Sequence, residues 1–466
     1  MAGRATSSSL GIEANGPTYA GARGRARRRP RHARDSLAMI LRLVRSGRAE
    51  TRQEIEAESG LGRAVVAERI GTLLSLGLLE EGDLRESTGG RAPRQVHFRD
   101  TAGHVLVGSL GSTTLGVGLA DLSGRLLMEH HEPGDLLAGP ERTLDRLDAL
   151  FEWMLGEHPE ARNIWGIALS VPGPVELPLR HLASAPILGL ISGWRGYRAG
   201  ERLSRRFNAP VLVDNEAHLM ALGELHAGRG SGRDDLLFLK VGIGISAALY
   251  SSGHVHRGAH GYAGDIGHVC VDEASKIICR CGNTGCLEVM AGGAAIAREG
   301  QRAAADGRSP MLAEIAASGR QVTAADVGIA SQRGDPISLE LLARSGRLIG
   351  TTLATLVNAM NPSLVVVGGG VAQAGEILLA AMREALYRHS RSVATEDLNI
   401  VLAEMGKTAS LVGGALAVVD QLLAQGYLAE WIDLGAPVWD ADGVEAESAP
   451  PVVRSPPPRR RPQAVS

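Results

Sequence analysis

The sequence predicts an α/β protein preceded by a small α+β unit, and three observations carry that prediction. Between Gly103 and about Gly426, short β-rich runs at 105–107, 167–171, 211–213, 236–241 and 364–367 alternate with helical stretches and glycine-rich turns, the pattern of strands layered against helices. Residues 36–98 instead hold three helical repeats followed by an alternating strand pair. The two ends carry no apolar periodicity and are expected to be disordered. The expected organisation is a basic arm (1–35), a winged helix-turn-helix (36–98), a large body (99–430) and a Pro/Arg-rich tail (431–466).

A chain of 466 residues, 44% hydrophobic and 21% charged with net charge −2, has room for two or three domains with their own cores and excludes wholesale disorder. No window approaches the roughly 18 uninterrupted apolar residues of a membrane span, and no apolar core follows the early arginines as in a signal peptide. A soluble cytoplasmic protein is expected. Of its 49 basic residues only Lys240, Lys276 and Lys407 are lysine; arginine suits bidentate contact to phosphates or bases. Arg23, Arg25, Arg27, Arg28, Arg29, Arg31 and Arg34 crowd the N-terminal arm, either as a solubilising tail or to track DNA phosphates. The run Ser455-Pro-Pro-Pro-Arg-Arg-Arg461 makes the other end an extended tail.

Within 36–98, Leu37, Ile40, Leu41 and Val44 repeat at helical spacing, and Thr51-Arg-Gln-Glu54 reads as a capping box starting a second helix near Arg52. Gly60 marks a turn, and a third helix over 62–76 is expected to bury Val66, Ile70, Leu73 and Leu74. The strand pair over 79–98 would be a wing with Gly89-Gly90-Arg91-Ala92-Pro93-Arg94 at its tip. Arg63 and Arg69 are expected to project from the third helix toward DNA, with Arg91 and Arg94 serving the wing. A protein-contact domain is the alternative.

Four cysteines, three of them between Cys279 and Cys286, are too few and too clustered for a secreted disulfide framework and point to a metal. Cys270, on a β-like run, is expected to be a buried small hydrophobe.

Five pieces taken together, Ser170-Val-Pro-Gly-Pro174, Val213-Asp-Asn-Glu-Ala-His218, Gly264-Asp-Ile-Gly-His268, Cys279-Arg-Cys-Gly-Asn-Thr-Gly-Cys-Leu-Glu288 and Val367-Gly-Gly-Gly370, resemble the ROK family of bacterial repressors, open reading frames and sugar kinases. The resemblance spans 36 to about 426. It implies a two-lobed actin-like (ribonuclease H-like) sugar-kinase fold, with the N-terminal winged helix of the repressor branch. It implies a structural Zn2+ held by His268, Cys279, Cys281 and Cys286, a closed shell with no position left for an activated water. It also implies that Asn215, Glu216, Asp265, His268 and Glu288 contact a sugar. The chain departs from the pattern where Asp265 replaces a glutamate, Glu216 an aspartate and His218 an asparagine.

Kinases of the family carry Asp-x-Gly-Gly-Thr and Gly-Thr-Gly-Ile-Gly loops around the ATP phosphates; here stand Ser109-Leu-Gly-Ser-Thr113 and Gly242-Ile-Gly-Ile-Ser246. The catalytic base position holds Glu216, a carboxylate displaced by about one methylene, and misplacement on the order of 1 Å can cost a hundredfold in rate. The expectation is no catalytic residue in service and a sugar-responsive, or formerly sugar-responsive, repressor of carbohydrate genes. It would bind operator DNA as a homodimer or dimer of dimers. The alternative is an ATP-dependent hexose or N-acetylhexosamine kinase with relaxed motifs. Gly62, Val65, Ala67 and Glu68 stand on the third helix where repressors of the family commonly carry Ser, Thr, Ser and Arg; apolar side chains can read thymine methyls while Glu68 repels phosphate, so affinity would lean on wing and arm and fall steeply with salt.

Overall fold

Three short helices come first in the computed structural model, which describes residues 33–84, 93–161, 163–175, 193–372, 376–424 and 428. The arm up to residue 32, the wing tip with Arg91 and the tail over 431–466 lie outside the described residues. Helix α1 (Ala33–Arg45) begins inside the segment expected to be arm and buries Leu37, Ile40, Leu41 and Val44, each large aliphatic side chain contributing roughly 1.5–3 kcal/mol when fully buried. Helix α2 (Arg52–Ser59) starts with the expected capping box: Glu54 N donates to Thr51 Oγ1, and Thr51 N donates to the Glu54 carboxylate. Helix α3 (Arg63–Ser75) follows, burying Val66, Ile70 and Leu73, with Leu74 only partly covered. Strands β1 (Leu79–Leu84) and β2 (Arg94–Phe98) pair antiparallel from Leu79 opposite Phe98, so three helices are followed by a two-stranded sheet.

The body contains the same sheet twice. Strands β3 (His104–Leu110), β4 (Thr114–Asp121) and β5 (Leu126–Pro133) form an antiparallel meander. Helix α4 (Pro140–Glu157) leads to β6 (Ile164–Val171), parallel to β3, and α5 (Ala199–Phe207) leads to β7 (Val211–Asn215), parallel to β6. The strand order is β5-β4-β3-β6-β7. After α6 (Glu216–Ala227) the pattern repeats with β8 (Leu236–Val241), β9 (Ile245–Ser251), β10 (His254–His256), β11 (Leu364–Gly368) and β12 (Asn399–Leu402), in the order β10-β9-β8-β11-β12. Between β10 and β11 the second lobe inserts a cysteine-bearing loop and five helices: α7 (Leu287–Ala291), α8 (Gly293–Ala305), α9 (Pro310–Ala317), α10 (Ala324–Gln332) and α11 (Pro336–Met360). Helices α12 (Glu376–His389) and α13 (Ser392–Thr395) separate β11 from β12. Two five-stranded sheets with one order, each framed by helices, make the two-lobed actin-like body. No described helix is long and apolar enough to cross a membrane.

The last described helix, α14 (Thr408–Leu422), returns to the first lobe and packs against α6 with backbones nearly touching. A Cβ on Gly413 would lie 1.8 Å from Leu219 O, and one on Gly223 2.1 Å from Ala409 O. Gly413→Ala is expected to lower stability by about 1–3 kcal/mol through overpacking, read as a lower urea midpoint; an unchanged midpoint would contradict this contact. The other face of α14 joins the N-terminal unit: Leu37, Ile40, Leu78, Val96, Ala415, Val418 and Leu422 belong to one continuous core. Arg45 of α1 also pairs with Asp420 of α14 at 2.5 Å and lies 6.0 Å from the Phe98 ring centre.

Candidate functional site

The cysteine loop is a tight knuckle. Cys279 N donates to Asn283 O at 2.7 Å, and isolated bridges pair Ile278 with Thr284 and Cys270 with Cys286. Gly285, at φ +66°, leaves no room for a side chain, since a Cβ would lie 2.0 Å from Asp272 O. This folding brings one ligand atom each from His268, Cys279, Cys281 and Cys286 within 4.8 Å of one another. His268 Nδ1 is 3.3 Å from Cys279 Sγ, and Cys281 Sγ is 3.6 Å from Cys286 Sγ. Sulfurs around a tetrahedral ion with bonds of about 2.3 Å sit about 3.8 Å apart, so the cluster fits a metal ion. The thiol chemistry agrees: burial and the neighbouring thiols push Cys279 up and Cys286 to about 12, while at Cys281 burial is outweighed by hydrogen bonds, which lower it, so a cation would favour the thiolate forms of the two buried cysteines. Cys270 corrects an expectation: it is exposed on the knuckle's outer side.

Beside the knuckle lies a narrow cleft bounded by both lobes, with about 50 Å³ of free interior volume. All five expected ligand residues line it: Asn215, Glu216, Asp265, His268 and Glu288. His268 serves both centres, with Nδ1 toward the thiols and Nε2 3.8 Å from Asp265 Oδ1. Burial pushes the Asp265 carboxyl up, with Glu288 adding to the rise against His268 and Arg280. Arg280, inside the knuckle, grips Glu288 through two contacts of 2.9 and 3.1 Å, and Ile245 N donates to the same carboxylate. The amide of Asn215 is engaged locally: it caps α6 by accepting from Ala217 N and donates to Gly173 O at 2.8 Å, tying the Pro172–Gly173–Pro174 turn to the site.

Sequence reasoning missed the cations that cross between the lobes. Lys240 on β8 is ion-paired to Glu216 at the head of α6, their side chains only 17% and 13% exposed. Arg257 holds Asp214 Oδ2 through two nitrogens at 2.6 and 3.1 Å. Burial alone would raise the Asp214 carboxyl, but the Arg257 charge and the His218 hydrogen bond outweigh it and hold it well below the usual carboxylate range. His218, at the position of a family asparagine, is buried; its Nδ1 is 3.0 Å from Asp214 Oδ1 and its Nε2 3.3 Å from Ala263 O. One available signal was that Lys240 is among three lysines in an arginine-rich chain.

On the N-terminal unit, Arg63 is exposed with no side-chain partner among the described residues. Arg94 is exposed but paired with Glu81 at 3.1 Å, which also meets Arg52 at 3.4 Å. Arg69 does not project as expected. It lies flat, 16% exposed, its Nε donating to Ser36 Oγ and its Nη1 to Glu68, because position 69 borders the buried stripe formed by Val66, Ile70 and Leu73.

Residues 108–421, more than half of the chain, match the ROK family. The chain belongs to that family. A glucokinase of Halalkalibacterium halodurans is 29% identical over 313 residues, covering 67% of this chain and 94% of that protein. The DNA-binding transcriptional dual regulator NagC of Escherichia coli K12 is 27% identical over 396 residues, covering 84% of this chain and 93% of the regulator. A crystal structure of a ROK family transcriptional regulator, described as a homologue of the E. coli MLC protein, matches 86% of this chain and 98% of its own with a TM-score of 0.71 at 24% identity. ROK relatives thus include both regulators and kinases.

Set beside the ROK kinase loops, the first two phosphate loops are altered here, while the third glycine turn is kept. Ser109, in place of the first-loop aspartate, is buried and hydrogen-bonded to Ser410 Oγ of α14 at 3.0 Å. Ile243 puts a 43% exposed apolar side chain where the second loop carries a hydroxyl. Gly369 in the third turn, at φ +95°, has a packing reason of its own: a Cβ there would lie 2.4 Å from Val241 O.

Proposed function

We propose that this ROK protein is a sugar-responsive, DNA-binding transcriptional regulator, a repressor of carbohydrate genes, whose kinase-type cleft senses its ligand without phosphorylating it. One observation carries the reading: the three-helix unit and its strand pair share a continuous core with α14, and α14 begins against β3, where Ser410 meets Ser109, three residues before Ser112 of the cleft wall. Movement in the cleft is thereby transmitted to the DNA-reading unit through a packed helix. Coupling of this kind is typically worth about 1–3 kcal/mol. In a homodimer, or a dimer of dimers, two α3 helices would enter successive major grooves about 34 Å apart. The protein would work in the cytoplasm, with Zn2+ in the knuckle closing a four-ligand shell and bracing His268, Arg280 and Glu288 around the sugar. Arg63 and Arg94, with Arg91 of the wing tip, would contact DNA. The wider alignment with NagC than with the glucokinase, 84% against 67% of this chain, supports a regulator.

The retained carboxylate of Glu216 favours a second reading, a ROK sugar kinase with relaxed motifs. General-base work needs a carboxylate free to take the hydroxyl proton, and Lys240 occupies this one. Purified protein given ATP, Mg2+ and common hexoses or N-acetylhexosamines is expected to release no ADP above background. One sugar is expected to raise the melting temperature of the wild type and not of Asn215→Ala. Sugar-dependent turnover abolished by Glu216→Ala would establish the kinase instead.

A further inference from the structure

The outward face of α3 is unusual for a helix offered to a polyanion. Arg63, Ala64, Val65, Ala67, Glu68 and Gly71 are exposed, and only one of them is cationic. Arg69 is turned inward as a strut: its Nε donates to Oγ of buried Ser36 on α1 at 3.1 Å, and its Nη1 donates to Glu68 Oε1 at 2.9 Å. Glu68 itself stays 64% exposed against 16% for Arg69. The guanidinium offsets part of the negative charge and restricts the carboxylate, while Glu68 Oε2 keeps no partner among the described residues.

A carboxylate is repelled by phosphate, yet in the major groove it has one well-matched partner. The cytosine N4 amino group has an acceptor, guanine O6, on one side only, whereas the adenine N6 amino group lies between the N7 and thymine O4 acceptors, which repel a carboxylate. The small apolar neighbours Ala64, Val65 and Ala67 suit thymine methyls. Resting on the DNA-binding reading above, we propose that Glu68 is a base-reading residue. Braced by Arg69 and Ser36, its free oxygen accepts from cytosine N4, so each half-site holds a G·C pair at a fixed position. Arg69 is a positioning residue and makes no base contact itself.

Selection of the full-length protein on duplexes with twenty random base pairs, followed by sequencing, tests this. Wild type is expected to enrich a motif with one cytosine position that Glu68→Ala flattens by about five- to a hundredfold in preference, leaving the other positions unchanged. Glu68→Gln is expected to move that position toward adenine, since a glutamine amide matches adenine N6 and N7. Arg69→Met is expected to blur the same position while the protein still melts cooperatively. A motif enriched equally by wild type and both Glu68 variants overturns the role of Glu68 and leaves the DNA-binding reading standing; failure of the wild type to enrich any motif overturns both.

Discussion

Removing the zinc proposed for the knuckle, by chelator or by Cys281→Ser, is expected to destabilise the protein more than any single substitution outside the knuckle. Metal affinities of structural zinc sites correspond to about 10–16 kcal/mol in small peptides, where binding and folding are one event, against about 5–15 kcal/mol for the stability of a whole domain. Cys281 is the informative position because it is half-exposed while Cys279 and Cys286 are buried, so its replacement removes a ligand without opening a core cavity. One zinc per chain is expected by metal analysis of the wild type and substantially less in the variant. Sugar-induced stabilisation is expected to disappear with it, because the knuckle supplies Arg280 and Glu288 and orients His268. Binding to DNA should survive at moderate temperature, since the N-terminal unit draws its core from α1, α3 and α14. Acid is expected to weaken the metal's hold, because its ligands bind only when deprotonated. A chelated protein with unchanged melting temperature and sugar response would show that the thiol cluster braces nothing.

Much of this architecture was legible because central strands flanked by helices on both faces read as largely apolar runs: 105–107, 167–171, 211–213, 236–241 and 364–367 all became strands. The capping box at Thr51 and the cysteine spacing were readable because each is local, its partners lying within a few residues. The repeated sheet order was not, since it depends on which strands pair across long separations. Cys270 misled because the alternation around Val269 and Val271 looked like a core strand; its segment is held by a single isolated bridge at the surface, leaving Val269 48% exposed. Arg69 misled for a different reason. The type of residue suggested DNA contact, but its angular position beside Ile70 makes it half-buried, and its charge is spent inside the unit. The ties from Lys240 and Arg257 were invisible because each joins the two lobes, and no local period records which side chains a cleft brings together.

Lys240→Met is expected to destabilise the body by about 3–5 kcal/mol, because it leaves the mostly buried Glu216 carboxylate without its cation. Glu216→Leu alone should cost a comparable amount by stranding the ammonium. Combining the two replaces the ion pair with apolar side chains of similar length, and the double variant is expected to recover most of the loss, since exchange of a buried pair for packed hydrophobes is often neutral or stabilising. Urea unfolding of the four proteins gives the coupling energy directly. Additive single-variant losses would mean that the pair contributes nothing across the cleft. The pair also bears on function, because Glu216 begins a helix of the crossover between lobes while Lys240 lies one residue from the end of the first strand of the second sheet. A ligand hydroxyl reaching Glu216 must enter beside the ammonium or displace it. Either event rearranges a contact between lobes, whereas a kinase base needs a carboxylate with no standing partner. Removing Lys240 together with Glu216 should therefore leave a folded protein whose grip on DNA no longer changes when sugar is added.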